Sequence, residues 1–67
     1  MRILITPLRM ARLRKGYSQQ GLSLLVDIPQ VNLSYAERGH RDALKPEQWA
    51  RLAEMLETTL ADLLADS

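Results

Sequence analysis

The sequence predicts an all-α fold, a compact domain of five helices of which three are short. Apolar residues recur at three- and four-residue spacing, as they do on the buried face of a helix. The clearest example is Trp49, Leu52, Ala53 and Leu56. Helix-capping residues and prolines mark helix starts, and glycines mark helix ends. Residues 3–5, Ile3-Leu4-Ile5, are the one segment that resembles a half-buried strand.

Each predicted helix has its own start signal in the sequence. The helices are predicted over residues 7–15, 19–25, 29–37, 46–57 and 60–65. The residues that mark their starts are Thr6-Pro7, Ser18, Pro29, Pro46 and Thr59, with Asp62 completing a capping box at the last one. Gly16 and Gly39 end the first and third helices. Residues 40–45 are predicted to form a polar loop.

The side chains expected to face the core follow from these helices. They are Leu8, Ala11, Leu13, Leu22, Leu25, Val26, Leu33, Ala36, Trp49, Leu52, Ala53, Leu56, Leu60, Leu63 and Leu64. A core of this size in 67 residues gives a single domain at most, predicted over residues 1–67 with an N-terminal arm at residues 1–6.

The composition argues against several functional classes. There is no cysteine, so a disulfide scaffold and a thiolate zinc site are excluded, and a single histidine, His40, provides no metal cluster. So short a chain has little room for a deep reaction pocket, and no catalytic constellation is present. We therefore expect no enzyme, no metal and no cofactor. The apolar run that begins the chain stops at Pro7, too early for a signal peptide or a spanning helix, and we expect a cytoplasmic protein with no membrane partner.

The charge is unevenly distributed although the formal total is only +1. Residues 1–26 carry five cations and no acid, residues 27–41 are balanced, and residues 42–67 carry six acids and two cations. A basic first half indicates that one end of the domain faces an anion, although a solvated helix face beside an acidic tail would give the same pattern.

The spacing of the second and third helices points to a function. Two short helices joined by a turn of three or four residues, with a polar outer face on the second, make a helix-turn-helix, predicted over residues 18–38. The major groove of DNA admits one helix, so the recognition helix must present short or hydrogen-bonding side chains. The preceding helix needs donors for phosphates at its N-terminus.

The segment from Leu13 to Gly39, LRKGYSQQGLSLLVDIPQVNLSYAERG, matches a known family pattern without a gap. The matching positions are Gly16, Tyr17, Ser18, Gln19, Leu22, Ile28, Leu33, Glu37 and Gly39. The chain thereby resembles the lambda-repressor-like (Cro/repressor, or XRE-type) helix-turn-helix family, over residues 7–65. Asp27 replaces the usual turn glycine, and Pro29 replaces the usual hydroxyl cap of the recognition helix. Ser23 and Ala36 also depart from the common residues.

The resemblance implies roles for individual residues. Base readout is expected from Gln30, Val31, Ser34 and Tyr35. A glutamine amide can bond the N6 and N7 atoms of adenine, and a valine can contact the methyl group of thymine. Contacts to phosphate are expected from Gln19, Asn32, Arg38, His40 and Arg41. Arg12 and Glu37 are expected to form a structural ion pair. Arg9, Arg14 and Lys15 are free to meet phosphates or to remain solvated.

The predicted function is that of a sequence-specific DNA-binding regulator, a repressor that binds a palindromic operator on double-stranded DNA as a homodimer. The alternative is a protein-interaction module of the same fold, an anti-activator or antitoxin that binds a partner protein. Either Ile3-Leu4-Ile5 or the fifth helix could form the dimer interface.

Overall fold

The computed structural model describes residues 6–64, and within them the fold is all-helical, with five α-helices and no strand. The helices are α1 (Pro7–Arg14), α2 (Gln19–Val26), α3 (Gln30–Glu37), α4 (Pro46–Met55) and α5 (Leu60–Leu64). The predicted fold class and the five helices are confirmed. The strand considered at residues 3–5 and the predicted end of the fifth helix at Ala65 lie outside the described residues.

The helix starts follow the capping residues of the sequence. The Thr6 hydroxyl accepts the backbone N–H of Arg9 at 3.3 Å, and the Ser18 hydroxyl accepts that of Gly21 at 2.9 Å. Thr59 caps α5 in the same way, accepting the N–H of Asp62 at 3.1 Å. These bonds satisfy backbone donors that have no partner within their own helix, so each short helix has a fixed beginning.

The ends of α2 and α4 depend on residues in a left-handed conformation. Asp27 has φ 56° and ψ 47° and ends α2, and Glu57 has φ 55° just after α4. The prediction that the fourth helix extends to residue 57 is therefore too long, because a left-handed residue cannot continue a right-handed helix.

The core lies between all five helices. Its most completely buried side chains are Leu8, Leu22, Val26, Leu33 and Leu52. Trp49 packs against them, and its indole N–H donates to the carbonyl oxygen of Arg41 at 2.9 Å. This bond fixes a 3₁₀ turn at Arg41–Ala43. The loop predicted over residues 40–45 thus contains a 3₁₀ turn, and its Leu44 is buried in the core.

Three leucines predicted to face the core are exposed instead: Leu13, Leu25 and Leu60, at 53%, 54% and 40%. On α1, Leu13 lies about 140° around the helix axis from Leu8, on the side opposite the core. On α2, Ser23 occupies the buried side with Leu22 and Val26, and Leu25 is turned outward.

The acidic residues between positions 42 and 64 are exposed, on α4, α5 and the loops beside them. Within residues 6–64, no helix combines the length and the apolar character needed to cross a membrane.

Candidate nucleic-acid interface

The turn between α2 and α3 holds these two helices at a fixed angle. The left-handed Asp27 turns the chain, so that the N–H of Ile28 reaches the carbonyl oxygen of Ser23 at 3.0 Å and its side chain enters the core. Pro29 follows at the start of α3, and no side chain caps that helix. The replacements of the family's glycine and hydroxyl residue thus have local consequences: a strained backbone and an uncapped helix.

Arg51 of α4 stabilises the same turn from the other side. Its Nη1 donates to the carbonyl oxygen of Val26 at 2.7 Å, at the C-terminal end of α2. A cation at this end of a helix binds an unpaired carbonyl and opposes the negative end of the helix dipole. This role could not be predicted from the sequence, because no spacing rule links positions so far apart.

A buried ion pair holds the C-terminal end of α3 against α1. The Nε and Nη2 atoms of Arg12 contact the two carboxylate oxygens of Glu37 at 2.7 and 3.1 Å. A third donor, Nη1, bonds the carbonyl oxygen of Tyr17 at 3.0 Å. The Thr6 hydroxyl donates to the backbone carbonyl of Glu37 at 2.7 Å. Glu37 is therefore held through both its side chain and its backbone.

Two glutamine side chains extend this polar contact to the start of α3. The Gln19 amide donates to Oε1 of Glu37 at 3.4 Å, and the Gln30 amide donates to Oε1 of Gln19 at 3.5 Å. Both distances exceed the usual 2.7–3.2 Å of an N–H···O bond, so the two contacts are weak, but they place the two amides side by side. Gln19 opens α2 and Gln30 opens α3, so the first residues of both helices face the same region.

A cleft with cationic walls lies beside these glutamines. It is lined by Arg9, Arg12, Gln19, Ser34, Glu37 and Arg38. Glu37 neutralises Arg12, whereas Arg9 and Arg38 are exposed. The cleft can therefore accept an anion such as a phosphate, with guanidinium groups on its rim and the N-terminus of α2 beside it.

Three other cations, Arg9 and Arg14 of α1 and Lys15 just after it, take separate positions in the structure. Arg9 lines the cleft, whereas Lys15 pairs with Glu57 at 3.1 Å. Arg14 lines the groove between α1 and α5, beside Asp62. Of these three, Arg9 is the one placed to bind the anion that the cleft accepts. The sequence alone does not distinguish these three cations as phosphate contacts, because charge does not show which side of a helix faces a groove.

The outer face of α3 carries the residues predicted for base readout. Gln30, Val31 and Tyr35 are exposed, and Val31 and Tyr35 stand one helical turn apart on the same face. Asn32 and Ser34 are half-buried, and Ser34 lies in the cationic cleft. The structure thus brings Gln30, Val31 and Tyr35 together and groups Ser34 with the arginines.

Two other predicted residues, Arg38 and His40, contact Tyr35. The guanidinium carbon of Arg38 lies 5.5 Å from the centre of the phenol ring, and the His40 ring meets it edge-on with centroids 6.0 Å apart. Arg41 takes a different position. Its Nη2 donates to the carbonyl oxygen of Leu64 in α5, and it does not line the cleft.

No metal centre accompanies these groups: within residues 6–64, no cluster of three or more histidine, aspartate or glutamate side chains could hold a metal ion. A polar, exposed helix face beside a cationic cleft, on a helix pair fixed by a tight turn, defines a DNA-binding helix-turn-helix domain.

Comparison with known families agrees with the geometry. The model of the helix-turn-helix family matches residues 8–63, which is most of the chain. The chain therefore belongs to the helix-turn-helix family of the XRE, Cro/repressor type, and it is a DNA-binding helix-turn-helix regulator. This family consists of DNA-binding regulators that are generally not enzymes. The chain has no significant match among curated proteins or among solved structures.

Proposed function

We propose that the protein is a transcriptional repressor that binds a palindromic operator as a homodimer, with α3 as the recognition helix. One observation carries this proposal. The amide of Gln30, on the outer face of α3, is bonded to the amide of Gln19, at the N-terminus of α2 beside the cationic cleft. A phosphate contact by Gln19 would therefore fix the amide of Gln30 for a bidentate bond with adenine.

In this proposal the residues divide into two sets. Gln30, Val31 and Tyr35 contact base edges. Gln19, Asn32, Ser34, Arg9 and Arg38 contact the sugar-phosphate backbone. Ser34 moves from the first set to the second because it lies in the cleft, and Arg9 joins it for the same reason. Arg41 is not assigned to phosphate, since its guanidinium bonds α5.

The small size of this contact surface supports a dimer. One recognition helix of eight residues contacts only a few base pairs, whereas two copies related by a two-fold axis would place their helices about 34–36 Å apart, one turn of DNA. Such a dimer on a promoter would block access to it, which is repression. The acidic surface of α4 and α5 would then face away from the phosphates.

The first test is binding to a pool of random duplexes at several salt concentrations. The two cationic phosphate contacts of each subunit, Arg9 and Arg38, predict a log–log slope of about −2 for one subunit and twice that for a dimer. An affinity that does not change with salt, or no binding at low salt, would contradict the proposal.

A second experiment tests the dimer. A dimer should protect two half-sites, and a duplex with one half-site should bind far more weakly. Equal affinity for both duplexes would exclude the homodimer.

A third test separates base readout from phosphate contact. Gln30→Ala should weaken the preference at one base position by about five- to a hundredfold and leave the other positions unchanged. Gln19→Ala should weaken binding to all sequences and also lower the preference at that same position, because the Gln30 amide loses its contact with Gln19. Gln20→Ala is the matched control, because it removes the same amide from the next position of α2, outside the cleft. It should change neither the base preference nor the overall affinity for DNA. Uniform loss in both the Gln30 and Gln19 variants would exclude α3 as the recognition helix.

A second function is supported by the exposed end of α2. Leu24 and Leu25 are adjacent and exposed by 76% and 54%, which is unusual for two neighbouring leucines on a surface. This surface fits a partner protein, and the chain would then act as an interaction module. Leu24→Lys with Leu25→Lys should abolish binding to such a partner and leave the affinity for DNA unchanged or slightly higher.

A further inference from the structure

The phenol ring of Tyr35 is contacted by two side chains that follow it in the sequence. The guanidinium of Arg38 lies 5.5 Å from the ring centre, within the range of a cation–π interaction. The His40 ring meets the phenol at 79° with centroids 6.0 Å apart, which is the edge-to-face geometry that aromatic pairs favour.

The backbone after α3 brings these side chains into place. The N–H groups of Arg38 and His40 both donate to the carbonyl oxygen of Tyr35, at 3.0 and 3.1 Å. Gly39 has φ 103°, a conformation that residues with a side chain rarely adopt, and it turns the chain back toward the helix. His40 can contact Tyr35 because of this turn. The contact therefore results from the way α3 ends.

We propose that Arg38 and His40 are positioning residues for Tyr35, which fix the direction of its phenol ring on the recognition face. The proposal rests on the proposed function, because Tyr35 meets bases only when α3 lies in the major groove. A ring that is already fixed in the free protein loses less conformational freedom on binding. The base preference at the position that Tyr35 contacts then depends on His40, even though His40 acts through the ring and not on the DNA.

The test compares two substitutions at one position. Tyr35→Ala first identifies the base position at which preference is lost, by selection from a randomised duplex. His40→Ala should then lower the preference at that same position by about fivefold or more, a discrimination at the lower end of that for one good base contact. His40→Phe keeps a ring for the edge-on contact and should retain the preference. Arg38→Ala should lower the preference at this position and also weaken binding to every sequence, since Arg38 lines the cleft.

A direct phosphate contact by His40 gives a different result. Both His40 variants would then weaken binding to all sequences alike, because neither phenylalanine nor alanine can donate to phosphate. That outcome, or an unchanged preference in His40→Ala, overturns the proposal.

The free protein provides a readout that does not require DNA. The NMR signals of the Tyr35 ring protons should move in His40→Ala, because a neighbouring aromatic ring shifts them, and unchanged signals would overturn the proposal. If the wild-type protein bound no duplex, the proposed function would fail, and the role in base preference with it. The ring signals would still show whether the contact exists.

Discussion

The ion pair between Arg12 and Glu37 predicts a large loss of stability when one partner is removed. In Arg12→Met the apolar stem is kept and the guanidinium is lost. The Glu37 carboxylate, on a residue only 4% exposed, loses both of its short bonds and keeps only the long bond from Gln19. Breaking a buried pair in this way costs about 3–5 kcal/mol. A domain of this length has a free energy of unfolding of roughly 3–10 kcal/mol, so Arg12→Met should lose at least about a third of it.

The double variant Arg12→Met with Glu37→Leu should recover most of that loss. It leaves no buried charge, and apolar replacements of a buried pair are often neutral or stabilising. The carbonyl of Tyr17 loses the bond from Nη1, which costs about 1–2 kcal/mol. We therefore expect the double variant to be more stable than Arg12→Met, with a coupling free energy of at least about 2 kcal/mol.

Urea titration followed by the fluorescence of Trp49, the single tryptophan, measures these free energies. The matched control is Lys15→Met, which removes the exposed pair with Glu57 and should cost less than about 1 kcal/mol. If Arg12→Met cost no more than Lys15→Met, or if the double variant were the least stable of the set, the reasoning from burial would be refuted.

Three further predictions concern the groups that shape the helix-turn-helix. Arg51→Ala should lower the free energy of unfolding by about 1–2 kcal/mol, because the carbonyl of Val26 loses its cation, and Arg51→Lys should recover part of it in a urea titration. Asp27→Gly should raise the melting temperature slightly, because glycine adopts the left-handed conformation without the steric strain, up to about 1 kcal/mol, that a side chain causes. Asp27→Val should lower the melting temperature. Trp49→Phe should lower the free energy of unfolding by about 1–2 kcal/mol, measured by circular dichroism, because the carbonyl of Arg41 loses its donor. The same variant should show faster amide hydrogen exchange near Arg41. Equal stability of the two Asp27 variants, or of Trp49→Phe and wild type, would contradict these expectations.

The helices could be predicted because their signals are local. Thr6, Ser18 and Thr59 each cap the helix that begins at the next residue by accepting a backbone N–H three residues further on, and the left-handed Asp27 stands where the family has glycine. The misplaced leucines show the limit of this approach. Leu25 is as apolar as Leu22, and it is Ser23, with its hydroxyl bonded to the carbonyl of Gln20, that occupies the buried side.

The site could be predicted only in part, because several of its contacts join distant segments. The resemblance supplied Arg12, Glu37 and the face of α3. It gave no sign that Arg51 would bond α2, or that the guanidinium of Arg41 would bond α5. A long cationic side chain can reach many partners, and the fold alone determines which carbonyl lies near it.

Glu37 is bonded through both its side chain and its backbone, and this has a consequence for how the sequence preference of the protein could be changed. The anchoring of α3 to α1 is concentrated at its last residue, through Arg12 and Thr6, while the side chains of Val31 and Tyr35 project to solvent. Substitutions at these two exposed positions should therefore leave the contacts between α3 and α1 unchanged. A library that varies only those positions should yield stable proteins with new sequence preferences, so the scaffold can be retargeted without being redesigned.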